Sequence, residues 1–274
     1  MQQTTTTTEQ GKIRLALYGS SLSALTYNAL RIAQGLSGDW WKVGILDVSG
    51  QAHKFSHLGM FTTIGMSAPY SAERYFDAMT LLELAGMDVI ILNTITPEYN
   101  GAGGLMERMN GDFQHALKAH RSFLQDIRNL DAHVICTVST KPRLSIRGGG
   151  RLNISQEPVQ QPGIEQIFQT VLQVDRSNRA ILVKDETGTL PRNMPFHLDT
   201  EVGAQLHRWC FTGGAQLEDT LQWRINGCES LSQLYSLLFT TDTDDPKVMA
   251  AFTKRKLQLQ GVQQPQGELV DMPF

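Results

Sequence analysis

Leu15-Ala16-Leu17-Tyr18-Gly19-Ser20-Ser21-Leu22-Ser23-Ala24-Leu25-Thr26 decides how the chain is read. An apolar run meets a glycine and serine turn and passes into residues at helical spacing, which is the layout of a phosphate-binding loop. On the pattern G-x-x-x-x-G-K-[ST], Gly19 and Thr26 hold the outer positions at the right spacing. Ala24 stands where the second glycine belongs and Leu25 where the lysine belongs. The frame is present and its charge is missing.

Working outward, residues 13–18 form a short apolar run closed by Gly19, as expected of a strand buried on both faces of a parallel sheet. A helix is predicted over residues 26–36, with Leu25, Ala29, Ile32 and Ala33 on one face and Gly35 or Gly38 to end it. Residues 41–48 give a second strand that ends near Asp47, and residues 71–85 a helix with Tyr75, Met79 and Leu82 at helical spacing. Residues 87–93 are a third strand ending at Asn93. Residues 112–129 carry Phe113, Leu117, His120, Leu124 and Ile127 on one stripe, and residues 133–138 are a fourth strand. Strands that lack internal alternation and are separated by helices imply βαβ units and a parallel sheet covered on both sides. Ligands of such sheets bind at the carboxyl ends of the strands, where Gly19, Asp47, Asn93 and Ser139 fall.

Beyond the fourth strand the pattern changes. Residues 141–163 hold Lys141, Arg143, Arg147, Gly148-Gly149-Gly150, Arg151 and three prolines, and read as a functional or mobile loop. Its charges suit a phosphate backbone, although no aromatic residues interleave with them to stack on bases. Residues 168–175 and 180–184 flank Arg176-Ser177-Asn178-Arg179 as a β-hairpin. Residues 206–211 are expected to close the core with Trp209 packed inward. The predicted organisation is a disordered tail over residues 1–10, an α/β core over 11–212, a small helical appendage over 213–257 and a disordered Gln/Pro-rich tail over 258–274.

Composition narrows the function classes. Of 274 residues, 41% are apolar and 19% charged, and the net charge of -3 leaves no global basic excess to draw the chain to nucleic acid. Any nucleic-acid surface must be local. Cys136, Cys210 and Cys228 lack ligand spacing and read as buried reduced thiols. His53, His57, His115, His120 and His133 likewise lack paired metal spacing. No apolar stretch reaches the roughly 18 residues of a membrane span, so a cytoplasmic protein with no membrane partner is expected.

Several segments, in order, resemble the RecA-like P-loop "AAA family ATPases" encoded by phages and prophages and associated with recombination and single-strand annealing. They are Ile45-Leu46-Asp47, Pro69-Tyr70-Ser71-Ala72-Glu73-Arg74-Tyr75, Asp88-Val89-Ile90-Ile91-Leu92-Asn93 followed by Glu98-Tyr99-Asn100-Gly101, and His133-Val134-Ile135. Pro158-Val159-Gln160-Gln161-Pro162-Gly163-Ile164-Glu165 and Lys184-Asp185-Glu186-Thr187-Gly188 extend the series, and the likeness covers roughly residues 13–210. It implies a RecA-like P-loop fold, with a mostly parallel sheet flanked by helices, a β-hairpin and a small C-terminal helical appendage. Virus-encoded, the chain would work in the host cytoplasm.

The resemblance also implies a nucleotide site at Gly19, Ser20, Ser21, Ser23, Leu25, Thr26, Asp47 and Asn93, with magnesium at Thr26 and Asn93 if any binding remains. The catalytic candidates are Glu98, as an activating base, and Lys184, reaching a neighbouring subunit from the hairpin. Lys141, Arg143, Arg147 and Arg151 fall where such proteins contact DNA. Four devices of the family are altered: Leu25 replaces the phosphate lysine, Ser49 stands at the usual catalytic glutamate, Asn93 replaces the carboxylate ending the third strand, and Glu186 replaces a hairpin arginine. Phosphoryl transfer rests on positioning and charge, so the expectation is a degenerate member without hydrolysis. It would be an accessory or structural factor in DNA recombination or replication that self-associates and contacts single-stranded DNA or recombination proteins. The alternatives are a weak ATPase, binding ATP or ADP with magnesium and using Lys184 in trans, and an interaction protein with the fold as scaffold.

Overall fold

The computed structural model describes residues 11–20, 22–147, 151–192, 194–212, 224–228, 230–241 and 246–260. The chain divides into two units, Met1–Ala215 and Gln216–Phe274. In the first, β1 (Arg14–Gly19), β2 (Val43–Asp47), β3 (Thr62–Gly65), β4 (Val89–Asn93), β5 (His133–Arg147), β6 (Arg151–Pro158), β7 (Thr170–Val174), β8 (Arg179–Asp185) and β9 (Phe196–His197) form a mixed sheet. Its order is β3-β2-β4-β5-β1-β7-β8-β9, with β6 paired to β5. Pairing is parallel from β3 through β7 and antiparallel for β7 with β8 and β8 with β9. This is an α/β architecture with a mostly parallel sheet flanked by helices, compatible with a Rossmann-like fold.

The two-sided burial expected of the strands is present, and it follows the two-residue period. Ala16, Tyr18, Leu46, Ile90, Leu92, Val134 and Cys136 share one cluster with Tyr75, Met79 and Leu82 of α2 (Ala72–Leu84) and Phe123 and Ile127 of α5 (Phe113–Asn129). The intervening Leu15, Leu17, Ile45, Ile91 and Ile135 are also fully buried, on the face covered by α1 (Leu22–Ser37). Asp112 caps α5 by accepting from His115 N at 3.0 Å, which satisfies one of the helix's orphan donors.

Against α1 lies α6 (Thr200–Thr212). Two glycines set how closely these helices approach. A Cβ on Gly35 would come 1.8 Å from Thr200 O, and one on Gly203 would come 2.1 Å from Ile32 O. Only residues without a side chain fit that crossing. Within α6, Leu206 and Cys210 are buried while Trp209 is only half-buried, so the apolar closure comes from a helix face and not from an inward tryptophan.

The predicted loop over residues 141–163 is instead largely strand. β5 runs on past the sheet to Arg147 and pairs antiparallel with β6, from Thr140 opposite Pro158 to Arg147 opposite Arg151. The physical reason was in the pattern: Pro142, Leu144 and Ile146 alternate with Lys141, Arg143 and Arg147 at the strand period. Prolines are tolerated because both strands of a two-stranded arm are edges. β7 and β8 form the predicted hairpin. β3, the short α3 (Thr96–Asn100) and α4 (Leu105–Arg108) had no counterpart in the sequence reading.

The second unit contains α7 (Leu231–Thr240), begun by Ser230, whose Oγ accepts from Gln233 N at 3.3 Å, and α8 (Pro246–Leu259). Ile225, Cys228, Leu234, Leu237, Val248, Ala251 and Phe252 make its own small core. Arg255 donates from Nε to Cys228 O at 3.1 Å and closes that core. The predicted tail over residues 1–10 lies outside the described residues, as does the span 213–223; of the tail predicted over 258–274, residues 258 and 259 instead end α8 and residues 261–274 lie outside the described part. All three cysteines are free and buried.

Candidate functional site

At the carboxyl ends of the parallel strands, Asp47 of β2 is register partner to Asn93 of β4, and Gly19 of β1 to Ser139 of β5. β5 lies between β4 and β1, so Thr137 of β5 sits between the two groups.

The turn after β1 is shorter than the sequence pattern requires. α1 already begins at Leu22, so only Ser20 and Ser21 separate it from Gly19. A phosphate loop needs several successive backbone amides outside the helix to wrap its ligand. Here the residues aligned with the later part of the loop are the first turn of α1. Ser20 is exposed; Ser21 and the side chain of Ser23 lie outside the described part. Leu25 is fully buried, and its Cδ2 would lie 3.0 Å from a Cβ on Gly19. It holds the turn down onto the core, with no charge to offer a phosphate.

Asn93 is fully buried at the centre of a closed polar network. Its Oδ1 accepts from Thr26 Oγ1 and from Thr137 Oγ1, each at 3.1 Å. Its Nδ2 donates to Asp47 Oδ1 at 3.1 Å and to Ser49 Oγ at 2.8 Å. That uses the two acceptor and two donor positions of a carboxamide. Asp47, 6% exposed, also accepts from Ser49 Oγ at 2.9 Å, Gln51 N at 3.3 Å and Ala52 N at 2.8 Å. The buried carboxylate is thus compensated by N–H and O–H donors in place of a cation. An aspartate at position 93 would have nothing to donate toward Asp47, which explains why the amide fits here.

Thr137 was missed by sequence reasoning, and Ser49 was read only as a missing glutamate. A polar residue inside the apolar run Val134-Ile135-Cys136-Thr137-Val138 was the available signal. The turn after β4 is fixed by similar bonds. Thr94 Oγ1 donates to Thr137 O at 2.6 Å, Ser139 N donates to Thr96 Oγ1 at 2.9 Å, Gln160 Nε2 donates to Ile95 O at 3.2 Å, and Tyr75 Oη donates to Thr94 O at 2.7 Å.

Glu98 is 1% exposed and lies with both oxygens 2.9 and 3.0 Å from Nδ1 of the fully buried His120. Burial raises its carboxyl above the usual range, and the bond to His120 works the other way. The pair belongs to the contact between α3 and α5, closed to water in this structure. Lys184 is also engaged within the chain: Nζ donates to Glu165 O at 3.1 Å and Phe168 O at 2.6 Å and lies 2.8 Å from Glu186. It ties the hairpin to the turn before β7.

On the β5–β6 arm, Lys141 and Arg143 are exposed, and Arg143 Nη1 lies 3.3 Å from Glu157. Arg147 pairs in register with Arg151 at the same phase as Lys141 and Arg143; the side chains of both lie outside the described part. The arm therefore brings the four predicted cationic positions to one face of a ribbon, shared with Glu157 opposite Lys141 and starting four residues along β5 from Thr137 of the Asn93 network.

His133 accepts from Ile13 N through Nδ1 at 3.0 Å, and burial, with the charge of Lys12 nearby, lowers it to about 4. Among the described residues no cluster of His, Cys, Asp and Glu could hold a metal ion, and no helix is long and apolar enough to cross a membrane. Compared with models of protein families and with curated proteins, the chain matches none.

Proposed function

We propose that the chain is a degenerate RecA-like P-loop protein that does not hydrolyse nucleotide and serves as an accessory factor on DNA, meeting the phosphate backbone with the β5–β6 arm. One observation carries the reading: Thr26 and Asn93, the positions that would hold magnesium, are bonded to each other in a network where an amide stands in for the cation beside Asp47. The strand order supports it, because β5 separates β1 from β4 and lets the turn after β1 face the end of β4 across one strand. The loss of the loop lysine removes a charged bond of roughly 1.5–3 kcal/mol to a phosphate. With no cation bonded to Asp47 or Asn93 among the described residues, little remains to stabilise a transferring phosphoryl group.

A two-stranded ribbon with one cationic face fits a nucleic-acid backbone or groove. The edge of β8 beyond the two residues paired with β9, with Ile181 and Val183 about half exposed, supports self-association through the hairpin.

The test is ATP turnover with and without single-stranded DNA, beside fluorescence anisotropy of a labelled oligonucleotide across a salt series. No turnover is expected, and DNA binding should weaken with salt at a slope near -0.7 per phosphate contacted, reduced by roughly 1 to 1.5 in Lys141→Ala/Arg143→Ala. Magnesium-dependent turnover abolished by Thr26→Ala, or binding that ignores the arm substitutions, would sink the reading.

A further inference from the structure

The amino ends of the parallel strands carry a cationic hollow. Arg14 opens β1, five residues and about 16 Å of strand from Gly19. Its side chain is almost wholly buried, with the residue 5% exposed. Nη1 donates to Ile13 O at 3.1 Å and Ala132 O at 2.8 Å; Nη2 donates to Arg128 O at 2.8 Å and to Leu130 O. All four acceptors are neutral carbonyls. The remaining Nε–H has no acceptor among the described residues. No carboxylate bonds this buried guanidinium directly, an expensive arrangement to keep; Asp131 and Glu83 lie near enough to favour its charge, but burial outweighs them and lowers Arg14 to about 10.

Arg14 lines a hollow of about 440 Å³ together with Lys12, Arg128, Gln166, Gln169 and Glu186. Gln169 is fixed there, accepting from Arg14 N and donating to Lys12 O at 3.3 Å. Arg128 is held by its bond to Gln166 O at 3.0 Å. The acid on the rim, Glu186, is drawn to Lys184 at 2.8 Å, and Asp131, 90% exposed, makes only a loose pair with Lys12 at 3.8 Å. Three cationic residues thus line one hollow, Lys12 and Arg128 from its exposed rim and Arg14 from its buried floor, and the lining carboxylate Glu186 is already paired.

We propose that this hollow binds a phosphate-sized oxyanion, with Lys12 and Arg128 closing over it from the rim above the buried Arg14. Guanidinium and ammonium donors converging on one space suit the several acceptor oxygens of phosphate. The site is separate from the Asn93 network and stands whether or not the reading of that network holds.

Isothermal titration of the full chain tests it, at ionic strength held constant with chloride. Three titrants are used: inorganic phosphate, a short 5′-phosphorylated oligonucleotide and its 5′-hydroxyl counterpart. Saturable binding is expected for inorganic phosphate or for the 5′-phosphorylated oligonucleotide over its counterpart, and the pattern tells a free ion from a terminal phosphate on nucleic acid. Lys12→Ala and Arg128→Ala, both at exposed positions, should each weaken it roughly tenfold, while Thr26→Ala leaves it unchanged. No phosphate-dependent heat in any arm, binding unaffected by Lys12→Ala/Arg128→Ala, or binding abolished by Thr26→Ala would each overturn the assignment.

Discussion

Replacing Asn93 with aspartate puts two carboxylates where the folded protein has one. The new group loses the donors that reach Asp47 Oδ1 at 3.1 Å and Ser49 Oγ at 2.8 Å. If both acids stay ionised, two like charges about 4 Å apart repel by roughly 4 kcal/mol at an effective dielectric of 20. If one takes up a proton, holding it neutral at pH 7 costs about 1.4 kcal/mol for each pH unit above an ordinary value near 3.9, again about 4 kcal/mol. The protonated acid would regain one bond, to Asp47, worth roughly 1.5–3 kcal/mol in gross terms, but the bond to Ser49 stays lost. Asn93→Asp should therefore lose about 3 kcal/mol at neutral pH, a loss that falls by about 1.4 kcal/mol per pH unit and is nearly gone near pH 4.5. Urea unfolding followed by tryptophan fluorescence reads this directly. Asn93→Ala, which breaks the same bonds without adding an acid, should lose stability without that pH dependence. A variant within about 0.5 kcal/mol of the parent at pH 7 without divalent cations, or a loss that does not change with pH, refutes the account of the network.

His133 supplies a pH dependence of its own. Its folded value near 4 lies below the ordinary 6.5, so between those limits the unfolded chain binds a proton that the folded chain refuses. Stability is fully present above about pH 6.5 and falls by up to roughly 3 kcal/mol as the pH drops toward 4; His133→Asn, which keeps an acceptor for Ile13 N, should flatten that slope in urea titrations. At the helix crossing, Gly35→Ala and Gly203→Ala each drive a methyl into backbone and should lower stability by roughly 1–3 kcal/mol or more. Thermal melts in which either substitution is neutral would mean that α1 and α6 part easily.

The sequence showed the strands best where both faces are buried. Residues 89–92 and 134–136 are apolar throughout because α1 covers one side and α2 with α5 the other, and no competing pattern obscures them. Where the polar surface returns, legibility fell. The arm reads as a loop because triple glycine and three prolines outweigh a two-residue alternation, while an isolated ribbon tolerates both. At the site, Gly19, Asp47 and Asn93 were found because topology puts strand ends together, a rule that needs only strand boundaries. Thr137 and the partnership of Glu98 with His120 depend on register across β4 and β5 and on the facing of α3 and α5, which no local spacing encodes. The early start of α1 escaped for a different reason: serine and leucine residues carry no punctuation strong enough to separate a loop from a first helical turn.

β5 is a single strand of fifteen residues that is clasped between β1 and β4 at one end and forms the ribbon with β6 at the other. The ribbon therefore takes its heading from the sheet. A partner meeting it does not have to freeze a tether that samples many directions, because much of that orientational entropy has already been surrendered when the sheet forms. In the role proposed for it, such a ribbon would act as an aimed antenna, gaining affinity for surfaces that match its fixed bearing and forfeiting adaptability toward those that do not.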